Sequence, residues 1–351
     1  MKSAWMSAGM GLVFAFTSMP LSSEACTRAV YHGVGNNIIT GRTMDWKEDV
    51  HTNIWILPRG VARDGAAGAT SAKWTSKYGS VIASGYDISS TDGMNEKGLV
   101  ANLLWLAESE YPKPVKGKSH LAISLWAQYV LDNYATVKEA VEELRKEPFD
   151  VVTAEVPGQK RLATLHLSIS DATGDSAIVE YINGKQVIHH DKKYQVMTNS
   201  PTFEKQLALN SYWEDIGGTV MLPGTNRAAD RFARASFYIN AIPKSKDPVV
   251  ALASVFSVVR NVSVPYGITT PGQPNISSTR WRTVSDHSRK LYFFESALTP
   301  NTFWVDLKKI DFAQGAKTMV LDLGKDQRNI FSGDATASFK ESAPFKFLGL
   351  K

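Results

Sequence analysis

Cys26 is the only cysteine among 351 residues, and it stands directly behind a stretch built like an export leader. Lys2 gives that stretch a positive start. Met6–Met19 (MSAGMGLVFAFTSM) forms a mostly apolar middle that Pro20 interrupts, and Ser23-Glu24-Ala25 sets small residues where a signal peptidase reads. A cut after Ala25 makes Cys26 the first residue of the mature chain. One residue then carries a thiol nucleophile and a free α-amine that can take its proton. The two groups titrate close together, at about 8.5 for a free thiol and about 7.7–8 for an α-amine, so proton exchange between them costs little near neutral pH. Within a chain the same nitrogen is an amide without that capacity, so removal of the leader is expected to act as an activation step.

The leader implies an oxidising compartment, periplasmic or secreted, where cysteines usually pair. A lone cysteine cannot pair internally, which leaves a bystander, a lipid attachment site or a reagent. Its position at the expected cut argues against a bystander. Lipidation calls for a Leu-like residue three before the cysteine and small residues between, and here Ser23 and Glu24 hold the first two of those places. Two classes of function follow: an amidase that uses Cys26, and an envelope lipoprotein that binds acyl ligands without turning them over.

A thiol amidase also needs charge control and donors for an oxyanion. Arg42 and Asp45 lie 16 and 19 residues after Cys26, at the end of an expected strand. Arg42 could lower the thiol pKa and Asp45 could hold the α-ammonium, although an exposed Arg–Asp pair of little consequence has the same spacing. Thr198-Asn199-Ser200-Pro201 closes a strand before a helix. The Asn199 carboxamide could face an oxyanion, while read alone it is a helix cap. Arg231, in Ala229-Asp230-Arg231-Phe232, sits on an expected helix where an ordinary salt bridge is the simpler reading. The seven histidines show no metal-ligand spacing; His189-His190-Asp191 comes nearest and reads as solvated. Neither metal nor cofactor is expected.

Composition narrows the class further. The leader's apolar run is too short for a membrane span, which takes about 20 apolar residues, and no later segment reaches that length. Lys and Arg number 39 against 34 Asp and Glu, a net charge of +5 with no basic run of the kind that binds nucleic acid. A cut after Ala25 would leave 326 residues, enough for one large core, and no linker divides them, so Cys26–Lys351 is read as one domain.

These residues must be held by strands and helices in alternating blocks. Thr27–Tyr31 and Asn37–Thr43 flank the turn Gly33-Val34-Gly35-Asn36. Asn53–Leu57, Val81–Ala83 and Leu99–Trp105 read as further strands, and Ala62–Ser76 as a loop. Ser119 is expected to cap a helix over His120–Asn133, and Thr136 with Glu139 forms a capping box for a helix to about Lys146. Strands return at Thr164–Ser170 and Ser176–Ile182, and Asn183-Gly184 is a two-residue hairpin turn into Lys185–His190. A short strand follows at Tyr194–Thr198. Phe203–Trp213, Ala228–Ala241 and Val249–Val258 have helical apolar spacing. Ser277–Asp286, Leu291–Glu295 and Phe303–Leu307 close as strands. Tight hairpins imply antiparallel pairing, giving one α+β domain with two antiparallel sheets and helices outside them. The segment after Lys308 carries no motif.

Taken in order, Cys26-Thr27-Arg28, Gly41-Arg42-Thr43-Met44-Asp45, Gly93-Met94-Asn95-Glu96-Lys97-Gly98-Leu99, Thr198-Asn199-Ser200-Pro201 and Ala229-Asp230-Arg231-Phe232 resemble the choloylglycine hydrolase and penicillin V acylase family of N-terminal-nucleophile hydrolases. The resemblance implies a four-layer αββα sandwich and hydrolysis of small-molecule N-acyl amides such as penicillin V, N-acyl homoserine lactones or conjugated bile salts. It implies that Cys26 attacks the carbonyl while its amine shuttles the proton, that Arg42 and Asp45 support it, that Asn199 donates its side-chain NH2 to the oxyanion and that Arg231 completes the charge network. At the place that is Asn in many bile salt hydrolases and Tyr in many Gram-positive penicillin V acylases stands Trp105. With Trp46 it would make an aromatic wall, as in the exported Gram-negative branch, favouring flat aromatic or long acyl groups over bile salts. Asn102, three residues earlier on the same strand, should face away from Trp105. A homo-oligomer stays open, because the segment between Asn199 and Arg231 is shorter than in many Gram-positive members.

Overall fold

A computed structural model describes residues 25–269 and 277–350. Of the expected leader Met1–Ala25, all but Ala25 lies outside the described residues, and so does Lys351.

The N-terminal hairpin organises the first sheet. β1 (Thr27–His32) pairs antiparallel with β2 (Ile38–Trp46), with Arg28 opposite Arg42 and Thr27 opposite Thr43. On its other edge β2 pairs with Ser278–Asp286, which places Thr279 opposite Asp45 and carries a bulge between Thr279 and Trp281. The sheet runs Val196–Met197, β1, β2, Ser278–Asp286, Leu291–Ser296, Thr302–Asp306 and Gly333–Asp334, the last pairing parallel and the rest antiparallel. The second sheet has nine strands, all antiparallel: Lys185–His190, Ser176–Ile182, Leu165–Ser170, Val100–Trp105, Ser89–Asn95, Ser80–Gly85, Ile54–Leu57, Met319–Leu321 and Lys340–Glu341.

Helices cover both outer faces. α1 (Trp126–Asn133) and α2 (Val137–Leu144) pack on the nine-stranded sheet through Leu131 and Val141 against Ala101, Leu103, Leu167 and Val179. α3 (Phe203–Ile216) lies on α4 (Ala228–Ala241), and α4 and α5 (Pro248–Asn261) cover the seven-stranded sheet. The approach of α5 is close. A Cβ on Gly41 would fall 2.6 Å from Val259 Cγ1 and 2.9 Å from Val255 Cγ1, so β2 needs glycine there. The result is a mixed α+β fold of two antiparallel-rich sheets between helices.

The layer between the sheets is partly polar. Thr40 Oγ1 and Ser170 Oγ lie 2.8 Å apart across it, and Arg28 Nη2 donates to Ser176 Oγ at 3.0 Å. Asp92, from Ser89–Asn95, accepts hydrogen bonds from Tyr292 (2.5 Å) and Thr283 (3.1 Å) of the opposite sheet and lies 3.6 Å from Arg42. Buried groups of this kind are tolerated because most find a partner, although Arg28 Nε and Arg42 Nε have no hydrogen-bond acceptor.

Local signals proved sound where they were strong. Asn183 and Gly184 adopt φ of 52° and 73°, as a two-residue hairpin requires. Thr136 Oγ1 accepts from Glu139 N–H at 3.2 Å, while the Glu139 carboxylate reaches back to Ala135 N–H at 2.8 Å. Two expectations are corrected, and one strand had not been anticipated. The helix over His120–Asn133 begins only at Trp126: His120–Ala122 is a buried strand pairing parallel with Asp150–Val152, followed by a 3-10 turn at Ile123–Leu125. Ala62–Ser76 is not all loop, since Ala62–Asp64 pairs with Lys73–Thr75. Ser89–Asn95 is a strand that Ser, Asp and Gly disguise, their β propensity being low. Among the described residues no helix is long and apolar enough to cross a membrane.

Candidate active site

Cys26 lies at the entry to β1, 3% exposed. Ala25 still precedes it, so its nitrogen is here a backbone amide, which donates to Asn199 Oδ1. The sulfur sits 3.4 Å from the backbone N of Asp45, which donates to it, and 3.9 Å from Met44 Sδ. Burial pushes the thiol pKa up, and the charge of Arg42 is the largest influence opposing that rise.

Strand alternation separates the two charged residues of β2. Arg42 faces the layer between the sheets, where it donates to the Leu103 carbonyl at 2.9 Å, lies 3.6 Å from Asp92 and stacks on Trp281 at 4.8 Å. Asp45, three residues on, faces the helix side. Its Oδ1 accepts from Thr279 (2.6 Å) and its Oδ2 from Thr43 (3.1 Å), whose hydroxyl in turn accepts the Thr27 N–H (3.0 Å). Arg42 and Asp45 are 1% and 0% exposed, which rules out the surface ion pair. Burial pushes the Asp45 carboxyl up to about 6, against the lowering influence of Arg231 and of the two threonines.

Arg231 reaches in from the first turn of α4. Nη1 donates to the Cys26 carbonyl (2.5 Å) and to Thr27 Oγ1 (2.6 Å), Nη2 to Asn199 Oδ1 (2.9 Å), and Nε to the Asn226 carbonyl (3.0 Å). The planar fork thus ties the start of β1 to the Asn199 loop. Asn199 is turned differently from the orientation expected of an oxyanion donor: Nδ2 donates to the Trp105 carbonyl at 2.7 Å, and Oδ1 holds the Cys26 N–H. Nor does Asn199 cap α3. Instead Glu180 accepts the Phe203 N–H (3.0 and 3.2 Å) at the start of that helix. Glu180 also binds His166 Nδ1 (3.1 Å), and His166 Nε2 meets the Thr198 carbonyl (2.8 Å). Burial works to raise the Glu180 pKa, but hydrogen bonds from His166 and His189 and the bonded Phe203 N–H hold it at about 2. These contacts brace the residues on both sides of Asn199.

Beside the sulfur opens a cleft lined mainly by apolar groups that include Met44, Val50, Leu103 and Val156. Trp46 and Trp105 form one wall, their rings 5.5 Å apart and tilted at 53°. Arg161 lays its guanidinium over both, 4.3 Å from the Trp105 ring and 5.3 Å from Trp46. Asn102 is elsewhere, donating to Asp92 at 2.6 Å between the sheets, on the face away from Trp105. The structure therefore brings Cys26, Arg42, Asp45, Asn199, Arg231, Trp46 and Trp105 into one region. Sequence reasoning missed Asp92, one residue before a quoted motif, and Thr279, Glu180, His166 and Arg161, none of which has a local signal. His189 and His190 serve carboxylates instead of a metal, at 3.7 Å from Glu180 and 2.8 Å from Asp175. Among the described residues no three His, Cys, Asp or Glu side chains converge to hold a metal ion.

A buried thiol thus stands beside an apolar cleft, on paired sheets flanked by helices. Residues 26–322 match the family model of linear amide C–N hydrolases, choloylglycine hydrolase family, and the chain belongs to that family. It is 60% identical over 350 residues to penicillin V acylase of Pectobacterium atrosepticum, covering 93% of each chain. It is 28% identical over 296 residues to the bile salt hydrolase/transferase of Clostridium perfringens, covering 77% of this chain and 88% of that one. Among solved structures, penicillin V acylase from Agrobacterium tumefaciens superposes with a TM-score of 0.87 at 68% identity, covering 93% of this chain and all of the other. A variant of the Clostridium perfringens conjugated bile acid hydrolase shares the fold, with a TM-score of 0.73 at 24% identity over 86% of this chain and 97% of its own. The chain is accordingly a hydrolase of linear amide bonds, related closely to a penicillin V acylase and more distantly to bile salt hydrolases.

Proposed function

We propose that the protein is an exported, periplasmic or secreted, amidase that becomes active when Met1–Ala25 is removed and Cys26 becomes N-terminal, cleaving N-acyl amides with flat aromatic or long acyl groups. The observation that carries this reading is the convergence on Cys26: its sulfur stands beside an apolar cleft while its own nitrogen is held by Asn199 and its carbonyl by Arg231.

Freed of Ala25, the Cys26 nitrogen is an amine beside its own thiol. The amine takes the Sγ proton, and the thiolate attacks the substrate carbonyl carbon. Arg42 favours the thiolate against the burial that disfavours it. The protonated amine then gives its proton to the departing amine, leaving an acyl-thioester on Cys26. Water, deprotonated by the same α-amine, releases the acid and restores the thiol. Asn199 and Arg231 fix the α-amine relative to the sulfur. Asn199 Nδ2 serves the oxyanion by exchanging the Trp105 carbonyl for it. Asp45 supports the end of β2 whose backbone N–H meets the sulfur. Trp46 and Trp105 hold the acyl group by ring stacking. The likeness to penicillin V acylases favours a phenoxyacetyl amide such as penicillin V, with N-acyl homoserine lactones next and conjugated bile salts third.

Cys26→Ala should fold and hydrolyse nothing, and Cys26→Ser should be severely slowed. Wild-type turnover in Cys26→Ala would end the proposal. Intact mass should show a chain beginning with unmodified Cys26, whereas added acyl mass would favour the lipoprotein. Side-by-side rates on penicillin V, a long-chain N-acyl homoserine lactone and glycocholate test the acyl preference, which fails if glycocholate leads.

A further inference from the structure

The cleft has a wall that the family model does not include. That model ends at residue 322, yet Leu348 lines the cleft together with Ile88 and Ser124. The chain returns there along a defined path. Phe345 is 7% exposed and meets Trp55 edge-on at 4.9 Å. Phe347 packs on Phe345 at 4.7 Å, and Arg63 lies over the Phe347 ring at 5.5 Å. The Leu348 N–H donates to the Ile88 carbonyl at 2.9 Å, Ser124 Oγ donates to the Leu348 carbonyl at 2.7 Å, and the Leu350 N–H donates to Ala66 at 2.8 Å. Leu348 is thus held at its own backbone on both its N–H and its carbonyl, and by ring packing just before it.

Position decides what such a residue does. Cys26 sits with Met44, Asp45, Asn199 and Arg231. Leu348 shares none of those partners and closes the cleft on the side of Ile88 and Ser124. An acyl chain that presents its carbonyl to the sulfur and runs along the cleft toward Ile88 and Ser124 would meet Leu348 with its alkyl or aryl end.

We propose that Phe345–Leu350 is a strap across the acyl cleft and that Leu348 sets the length of acyl group accepted. The proposal rests on the reading of the cleft as the acyl site. Leu348 is a specificity residue that touches the far end of the substrate and takes no part in bond making. Replacing its isobutyl group by methyl vacates the space of three carbons, and each methylene newly buried contributes about fourfold. Two more buried methylenes therefore correspond to a change of roughly tenfold or more.

The test compares kcat/KM for dodecanoyl- and octanoyl-homoserine lactone in the processed wild type, Leu348→Ala, Leu348→Trp and Phe345→Ala. Dissociation constants of dodecanoic and octanoic acid are measured by calorimetry on the same proteins. Leu348→Ala should move both long-to-short ratios roughly tenfold toward the longer chain, and Leu348→Trp should move them toward the shorter. Phe345→Ala, which frees the strap without altering the cleft lining, should move them as Leu348→Ala does, to a smaller extent. The exposed Lys346, changed to Ala, is the reference that should move neither. Unchanged ratios in both Leu348 variants would overturn the strap. If the wild type cleaved neither lactone, the lactones would leave the substrate reading, and the acid-binding ratios would still decide for or against Leu348.

Discussion

Replacing Arg231 by Lys tests whether a planar fork, and not merely a positive charge, assembles this site. The native guanidinium uses three nitrogens for four acceptors: the Cys26 carbonyl and Thr27 Oγ1 on Nη1, Asn199 Oδ1 on Nη2, and the Asn226 carbonyl on Nε. An ammonium is a single point and cannot span the Cys26 and Asn199 sides together. Keeping the Cys26 side forfeits the bonds to Asn199 and Asn226. Two hydrogen bonds from a charged donor are together worth about 3–6 kcal/mol. The charge stays, so the damage is one of placement. Asn199 loses one of the two donors to its Oδ1 and the Cys26 nitrogen is held less firmly, and displacement of reacting groups by about 1 Å costs on the order of a hundredfold. Arg231→Lys should therefore lose about 3 kcal/mol or more in denaturant unfolding, and about a hundredfold in kcat/KM on penicillin V, mostly in kcat because the cleft wall is untouched. A variant within about twofold of wild type in kcat/KM would refute the argument that the fork positions the nucleophile.

Asp45 adds a pH signature. Its carboxyl titrates at about 6 in the fold against an ordinary 3.8, so between those values the folded state holds the proton more tightly, and stability falls as pH rises through this window, by about 3 kcal/mol in all. Unfolding free energies between pH 4 and 7 should show this component in the wild type and lack it in Asp45→Asn; equal slopes would remove it. Glu180→Gln should cost about 1–3 kcal/mol, as leaving a donor of a buried hydrogen-bond network poorly paired does, and lower kcat more than it raises KM, since Glu180 braces the Asn199 segment without touching the cleft. Trp105→Ala should weaken penicillin V by about tenfold in KM, through loss of aromatic contact, and change alkyl-chain amides less; an equal loss on both would deny the ring-stacking role.

Much of the architecture was legible because its signals are local. Asn183-Gly184 can hardly be anything but a tight hairpin, and Thr136 with Glu139 specified a helix start that the structure repeats. The Ser89–Asn95 strand was hidden because its interior face is polar: Asp92 is there to meet Arg42, and an aspartate in a strand reads as a turn. His120–Ala122 was misread because a parallel partner 30 residues away overrides helical spacing. Read residue by residue, the site was legible only at Cys26 with its expected leader; Arg42, Asp45, Asn199, Arg231, Trp46 and Trp105 were singled out through the ordered resemblance to the family. Arg231 binds a residue 205 positions distant, and nothing in its neighbourhood distinguishes it from a helix-surface arginine. Leu348 was invisible in principle, because no periodicity or spacing announces that a chain will return to line a cleft.

β2 carries one further implication. Its even positions send Arg42 toward the inner layer, and its odd positions give Asp45 to Thr279 and leave Gly41 hydrogen-sized beneath α5. A slip by a single residue would exchange these faces, stranding a guanidinium under a helix that has no room for a methyl group. Alignment of the hairpin and alignment of the catalyst are therefore one event. Recovery of turnover during refolding should track the locking of this strand pair, and a collapsed but misregistered chain should be silent however much secondary structure it shows.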